Sequence, residues 1–170
     1  MGKIYILRLL WVLVGSTVAI SLALYITQVS SPLFLASLGG TTLFLFALST
    51  APAAQPRAVF GAHLISSFVG VVAFQLFGDA LWVMVAAVAI TIGILLLTRT
   101  VHPPAGANPL IMIQAHASFT HIWLTVLLGV VIISVVAFVW SRIWAGKKKY
   151  PVSWTQPSPP STHWSIWGDS

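Results

Sequence analysis

Thr100-Val101-His102-Pro103-Pro104-Ala105-Gly106-Ala107-Asn108-Pro109 interrupts a second half of the chain that is otherwise almost wholly apolar. A residue that precedes proline is pushed out of the helical region, so Val101 to Pro104 is expected to run extended. The 14 residues 106–119 that follow would span about 21 Å as a helix at 1.5 Å per residue. That is short of the roughly 30 Å of a bilayer's hydrocarbon core. The two pieces together reach across, so 101–119 reads as one broken crossing, an extended lead-in followed by a half-helix. Such backbone survives at membrane depth only where other protein or a water-filled cavity covers it.

On either side the reading is simpler. Apolar spans are expected at about 9–27, 33–50, 58–78, 80–98 and 122–140. The first is nineteen residues long, the length that crosses as helix and longer than the 7–15 apolar residues of a signal peptide. Only 6% of the 170 residues are charged, 58% are hydrophobic, and the mean hydropathy is +0.98. Ten charged side chains, eight Lys and Arg with two acids, could not cover the surface of a water-soluble fold. The fold class is therefore an all-α polytopic membrane helix bundle, with 1–146 as its transmembrane domain. Residues 147–170 are basic and then rich in Pro, Ser and Trp, and are expected to form a disordered cytoplasmic tail. The net charge of +6 sits at the ends of spans, where cytoplasmic loops retain it and anionic lipid attracts it. No basic stripe interleaved with aromatics lies on a soluble segment, so nucleic acid is not an expected partner. The absence of cysteine removes thiol chemistry and Cys-based metal sites.

The charges also order the crossings. Lys3 and Arg8, then Arg57, Arg99 and the lysines 147–149 belong on one side, which requires six crossings and puts both termini in the cytoplasm. Gly39-Gly40-Thr41-Thr42-Leu43-Phe44 lies 67 residues before Gly106-Ala107-Asn108-Pro109-Leu110-Ile111, and the flanking spans pair at similar offsets. Three spans repeated once must be inverted, so the pattern predicts an inverted repeat of three helices, each with one short or broken helix, as in many transporters.

Both short helices are then expected to aim their N-termini at the membrane centre. Unpaired N–H groups and partial positive charge there form an anion site without a fixed charge. Gly39, Gly40, Gly106 and Ala107 would let the ligand approach the backbone, or alternatively serve close helix packing. Thr41, Thr42 and Asn108 would add neutral hydrogen bonds. Arg57 reads either as an ordinary cytoplasmic charge or as a gate that attracts the anion. His102 reads as a donor to the anion, a proton carrier, or a fastener of the broken segment. His63 and Gln114 read as polar packing. A metal site from His102, His116 and His121 matches no strong spacing, so no metal and no cofactor is expected. Asp79 and Asp169 are the only acids, which leaves no catalytic pair and disfavours both an enzyme and a cation transporter.

Thr100-Val101-His102-Pro103-Pro104-Ala105-Gly106-Ala107, together with Ser37-Leu38-Gly39-Gly40-Thr41-Thr42-Leu43-Phe44-Leu45-Phe46 and Ala54-Gln55-Pro56-Arg57, resembles the HPP family of integral membrane proteins. The resemblance implies a bacterial inner membrane, of cyanobacterial type, and transport of nitrite, with which cyanobacterial and chloroplast-envelope members are associated. This chain departs from the family's pattern at Asn108-Pro109, where Thr or Ser followed by Ala is usual, and at Thr42, where Ala is frequent. The expected function is a transporter or channel for a small monovalent anion, nitrite first, in the lipid bilayer, with homo-oligomers left open. The alternative is a membrane scaffold or sensor that recruits a partner through its tail.

Overall fold

The computed structural model describes residues 2–28, 33–144 and 148–162. Its helices are α1 (Lys3–Thr27), α2 (Leu33–Ala47), α3 (Pro56–Phe77), α4 (Leu81–Thr98) and α5 (Asn108–Gln114), and then α6 (Phe119–Ile143), which carries a π-helical stretch at Ile122–Leu127. Four of these, α1, α3, α4 and α6, are long and apolar enough to cross a membrane. Helices are the expected outcome in lipid, where each backbone polar group must find its partner within its own segment. The punctuation is local: Pro56 opens α3, where its missing N–H costs nothing, and Gln28 and Arg99 close α1 and α4 in left-handed conformations.

Two sets of contacts define the ends of the bundle. At one end, Trp11 near the start of α1 packs at a tilt against Trp140 near the end of α6, with ring centroids 4.5 Å apart. There too Arg57, at the start of α3, donates to the carbonyl of Thr98 at the end of α4, 3.0 Å away. At the other end the α3–α4 turn meets the residues after α5, where His116 Nε2 lies 2.9 Å from Asp79. This hydrogen bond holds the Asp79 carboxyl below its usual range. The chain therefore leaves the first end at Thr100 and reaches the second by Ala115. It passes through a 3-10 segment, Pro103–Ala107, and then the short α5. The break stands at the prolines as expected, but Pro103 and Pro104 open a 3-10 turn, where a missing N–H costs nothing, rather than running extended. The helix covers 108–114 rather than 106–119.

Described Lys and Arg residues gather at the first end, where α1 and α3 begin and α4 and α6 finish. The bias of cytoplasmic loops toward positive charge then makes a topological prediction. A cysteine at Lys149 should be labelled from the cytoplasmic side and one at Ala80 from the opposite side. Labelling of both from one side would overturn the arrangement.

Small residues let the helices approach closely, as is common where lipid supplies no hydrophobic drive. Gly15, Ala19 and Ala23 bury one stripe of α1, and both alanines join a core with Leu38, Val130, Ile133 and Ala137. Large side chains such as Leu81, Leu97 and Trp82 face outward, where lipid would cover them.

Two expectations need correction. Gly39, Gly40, Thr41 and Thr42 do not open a helix: α2 begins by Leu33, so they lie in its interior, where intrahelical bonds use their N–H groups. No proline stands at Ser37 or Leu38, and the Ser37 hydroxyl donates to the Pro104 carbonyl instead of capping a helix start, so the helix extends back through that apolar stretch. The tail is also not disordered throughout. Residues 148–162 lie against the basic end, while 163–170 fall outside the described residues. Tyr150 is buried, which pushes its phenol up to about 12. Val152 and Ser153 donate to Gln55 Oε1, at 3.0 and 3.2 Å. Ser158 exchanges backbone bonds with Arg99 and Val101, both at 2.8 Å. The Gln55 side-chain oxygen and the backbone groups of Arg99 and Val101 recruit the tail, a drive that composition does not reveal.

Candidate functional site

A chain of buried polar side chains begins at the basic end and runs toward the middle of α3. Its first member is the carbonyl of Ala53, in the 3-10 turn Pro52–Ala54. His102 Nδ1 lies 2.6 Å from that oxygen. His102 Nε2 lies 3.0 Å from Thr41 Oγ1, and His63 Nε2 lies 2.8 Å from the same oxygen. Asn108 Nδ2 is 3.0 Å from His63 Nδ1 and donates to Ser67 Oγ at 2.9 Å. His102, Thr41, His63 and Ser67 have no exposed surface, and Asn108 has 1%. His63 lies seven residues into α3, about 10 Å from its start at 1.5 Å per residue, and Ser67 about 6 Å further.

Local sequence explains how each member arrives. Pro103 holds His102 in an extended conformation, with φ −131° and ψ 102°, so its side chain leaves the backbone where α2 and α3 meet. Gly40 lets the broken segment come close, since a Cβ there would lie 2.9 Å from Pro104 Cβ. Ser37 Oγ donates to the Pro104 carbonyl at 3.2 Å. Asn108 opens α5 and reaches back to α3, where His63 and Ser67 stand one helical turn apart on one face.

The partners fix the protons. A carbonyl only accepts, so His102 Nδ1 carries hydrogen. The Asn108 amide donates to His63 Nδ1, so the neutral His63 ring carries its hydrogen on Nε2 and donates it to Thr41. The Thr41 hydroxyl is then left with one proton and two acceptors: the Ser37 carbonyl at 3.0 Å and His102 Nε2 at 3.0 Å. Among the described residues, no Asp, Glu, Lys or Arg shares a hydrogen bond with this chain. Beyond Asn108 the path closes with apolar side chains, Val71, Ile111 and Met112 among them. The cleft beside it, lined by Ser37, Leu38, Asn108, Thr125 and Val126, has no room for a water molecule.

Of the residues singled out from sequence, Thr41, His102 and Asn108 meet in this chain. Thr42 donates to the Leu38 carbonyl at 2.8 Å, and Gly39 is exposed on the face of α2 toward α1. Gly106 and Ala107 are half-buried in the 3-10 segment, and Gly106 has open space where a side chain would stand. Gly40 faces Pro104 rather than Ala107. Arg57 stays exposed at the basic end. The three histidines weighed as metal ligands lie apart: His102 is central, His116 pairs with Asp79, and His121 Nδ1 lies 3.0 Å from Ser118 Oγ. Ser67 is the member that sequence reasoning did not name, and His63 reads there as polar packing rather than as part of the site. Their spacing of four on an apolar helix, with Ser66 between them, was the available signal.

A family model described as HPP, transmembrane region, matches residues 1–151. Two proteins of Dictyostelium discoideum, each named only as a transmembrane protein, are similar to this chain. One is 30% identical over 69% of this chain and 44% of its own length; the other is 29% identical over 71% and 41%. The chain thus spans less than half of either relative. No solved structure matches it significantly.

Proposed function

Because the chain belongs to the HPP family of transmembrane proteins, we propose that it is a transporter of a small monovalent anion, with nitrite as the favoured substrate, in a bacterial inner membrane with both termini cytoplasmic. The observation that carries this reading is the buried, acid-free polar chain at the junction of the two interrupted crossings. Polar and ionisable residues inside a membrane are costly and mark substrate paths. A path with two imidazoles and no carboxylate favours an anion over a metal cation. The inverted repeat remains part of the proposal, and the packing supports it: α1 packs on α2 and α6, and its counterpart α4 packs on α5 and α3. Ser37 bonds to residue 104, its own counterpart at the offset of 67, as an axis between the halves would require.

The conformation is closed, so transport requires α2 and the Pro103–Ala107 segment to part. Purified protein in liposomes should carry nitrite faster than nitrate, formate or chloride. Arg57→Ala should lower the rate on the order of tenfold through lost attraction at the basic end, and Arg57→Lys should keep part of it. Flux no greater than in protein-free vesicles, for every anion tried, would overturn the reading.

A further inference from the structure

We propose that the basic end of the bundle holds one anionic phospholipid, with its phosphate in the cavity between α1 and α6 and one acyl chain in the groove between α1 and α2. The site is separate from the buried polar chain and stands whether or not the protein transports anions. Its headgroup end is a cavity of about 290 Å³. Arg8 and Lys148 line it, and Ser49 adds a hydroxyl. Both cations are exposed, and neither has an ion pair or hydrogen bond among the described residues. Arg142, by contrast, already donates to the carbonyls of Phe138 at 2.6 Å and Tyr150 at 2.8 Å and lies over the Phe138 ring. Asp79, the one acid among the described residues, sits at the opposite end of the bundle. Two cations sharing a cavity without a carboxylate attract an anion, and basic pockets between helices on the cytoplasmic side suit lipid headgroups. Arginine offers its planar fork to two phosphate oxygens, and lysine adds a point charge.

The walls point to a lipid rather than a free anion. Trp11, Trp140 and Trp144 line the cavity, and tryptophan gathers at the boundary between membrane and water. The rings are held in place: Trp11 lies 4.5 Å from Trp140 and 5.1 Å from Trp144, and Trp140 Nε1 donates to the Trp11 carbonyl at 3.2 Å. The docked tail supplies a further wall through the buried Tyr150. Val12 belongs both to this cavity and to a second groove, also of about 290 Å³. That groove follows α1 past Leu13 and Thr17 to Ile20, about 12 Å deeper than Val12. Its other wall is α2, at Leu43 and Gly39. Nothing stands within 4 Å of a Cβ placed on Gly39, so the groove is open there to a methylene chain. Because the apolar groove starts at the wall of the cationic cavity, one molecule with a charged head and an apolar chain reaches both. A free phosphate would use only the first.

Native mass spectrometry of the full chain in a neutral detergent tests the site. The probes are phosphatidylglycerol and phosphatidylcholine with identical acyl chains, and inorganic phosphate. One phosphatidylglycerol should bind at least tenfold more tightly than phosphatidylcholine, and inorganic phosphate at the same concentration should neither be retained nor displace it. Arg8→Gln and Lys148→Gln should each weaken phosphatidylglycerol about fivefold, and together about thirtyfold, as expected for basic residues near an anionic surface. Lys3→Gln removes the same charge at a position outside the cavity, so its effect should stay under about twofold. Gly39→Leu places a side chain in the groove at a helical position that leucine favours, and should weaken the lipid at least fivefold. Leu43→Trp, at an exposed position on the same wall, fills the groove in a second way. Equal affinity for the two lipids, or phosphate binding as tightly as phosphatidylglycerol, would overturn the proposal. So would a loss in Lys3→Gln as large as in Arg8→Gln, or unchanged lipid binding in folded Gly39→Leu and Leu43→Trp.

Discussion

Gly70→Ala is expected to cost about 2–3 kcal/mol of stability, at the upper end for an overpacked interior, and to reduce the amount of folded protein recovered from membranes. A Cβ at Gly70 would stand 2.8 Å from Pro109 Cα, 2.9 Å from the Pro109 carbonyl oxygen and 2.8 Å from Met112 Cβ. Two of these three are backbone atoms of α5, which cannot turn aside as a long side chain can. Relief would require α5 to move off α3, and Asn108, one residue before Pro109, would move with it. Resistance to denaturation by a graded series of sodium dodecyl sulfate, read by tryptophan fluorescence, measures the cost. Gly39→Ala supplies the contrast. Nothing stands within 4 Å of a Cβ there, and Gly39 lies inside α2, so alanine should stabilise by about 0.5–1 kcal/mol through helix propensity. If Gly70→Ala were as stable as wild type, the close packing of α5 on α3 would be wrong.

The same two glycines mark the limit of what local sequence carries. The apolar lengths, the prolines around His102 and the charges at the span ends are local facts, and each acts through local physics: bilayer thickness, the restriction before proline, and charge retention. They account for the long apolar helices and for the break at the prolines almost unaided. What a glycine is for depends on what lies opposite, and that is a tertiary fact. Gly39, Gly40 and Gly106 look like approaches to a ligand because they sit beside polar residues. Gly40 instead admits Pro104, Gly39 and Gly106 admit no part of the chain, and Gly70, which is pressed against the backbone of α5, lies in an apolar run with no mark in its neighbours. The helix start inferred at Gly39 fails for a related reason. Glycine lowers helix stability by less than 1 kcal/mol or so, which cannot end a segment that has no other partner for its backbone in lipid.

Polar residues inside the apolar spans are more legible. Thr41, His102 and Asn108 stand out because burying them is costly without partners. The identity of those partners is not legible, since His63 and Ser67 come from a helix tens of residues away, and only the crossing of α2, α3 and the broken segment brings the five together. The tail departs furthest from its sequence-based expectation. Proline and serine in 151–160 suggest a chain without a core of its own, which is correct as far as it goes. Its docking depends on unpaired groups at Gln55, Arg99 and Val101 that become visible only once the bundle has formed.

Gln55→Leu is the change expected to release that tail. The Gln55 side chain has no exposed surface and uses its full capacity: Nε2 donates to Ser49 O at 2.9 Å and Ala51 O at 3.0 Å, while Oε1 accepts from Val152 and Ser153. Leucine of similar size keeps the packing and removes all four bonds. Each buried group left unpaired costs about 1–3 kcal/mol, but Val152 and Ser153 can escape the cost by leaving for water. The cheapest response is therefore detachment of residues 150–156, at a net loss of about 2–4 kcal/mol. Hydrogen exchange followed by mass spectrometry should show the 150–156 amides protected in wild type and exchanging rapidly in Gln55→Leu. Protection of 158 should survive, because Ser158 has its own bonds to Arg99 and Val101, with Ser158 Oγ donating to the Val101 carbonyl at 2.7 Å. Gln55→Glu separates the two halves of the role. A carboxylate can still accept from Val152 and Ser153 but offers nothing to Ser49 and Ala51, so the tail should stay protected while the Pro52–Ala54 turn exchanges faster. That turn presents the Ala53 carbonyl to His102, so its loosening should reach the polar chain, whereas detachment of the tail alone should leave it in place. Equal protection of 150–156 in wild type and Gln55→Leu would mean that the tail is held by Tyr150 and Ser158 and that the Gln55 bonds are incidental.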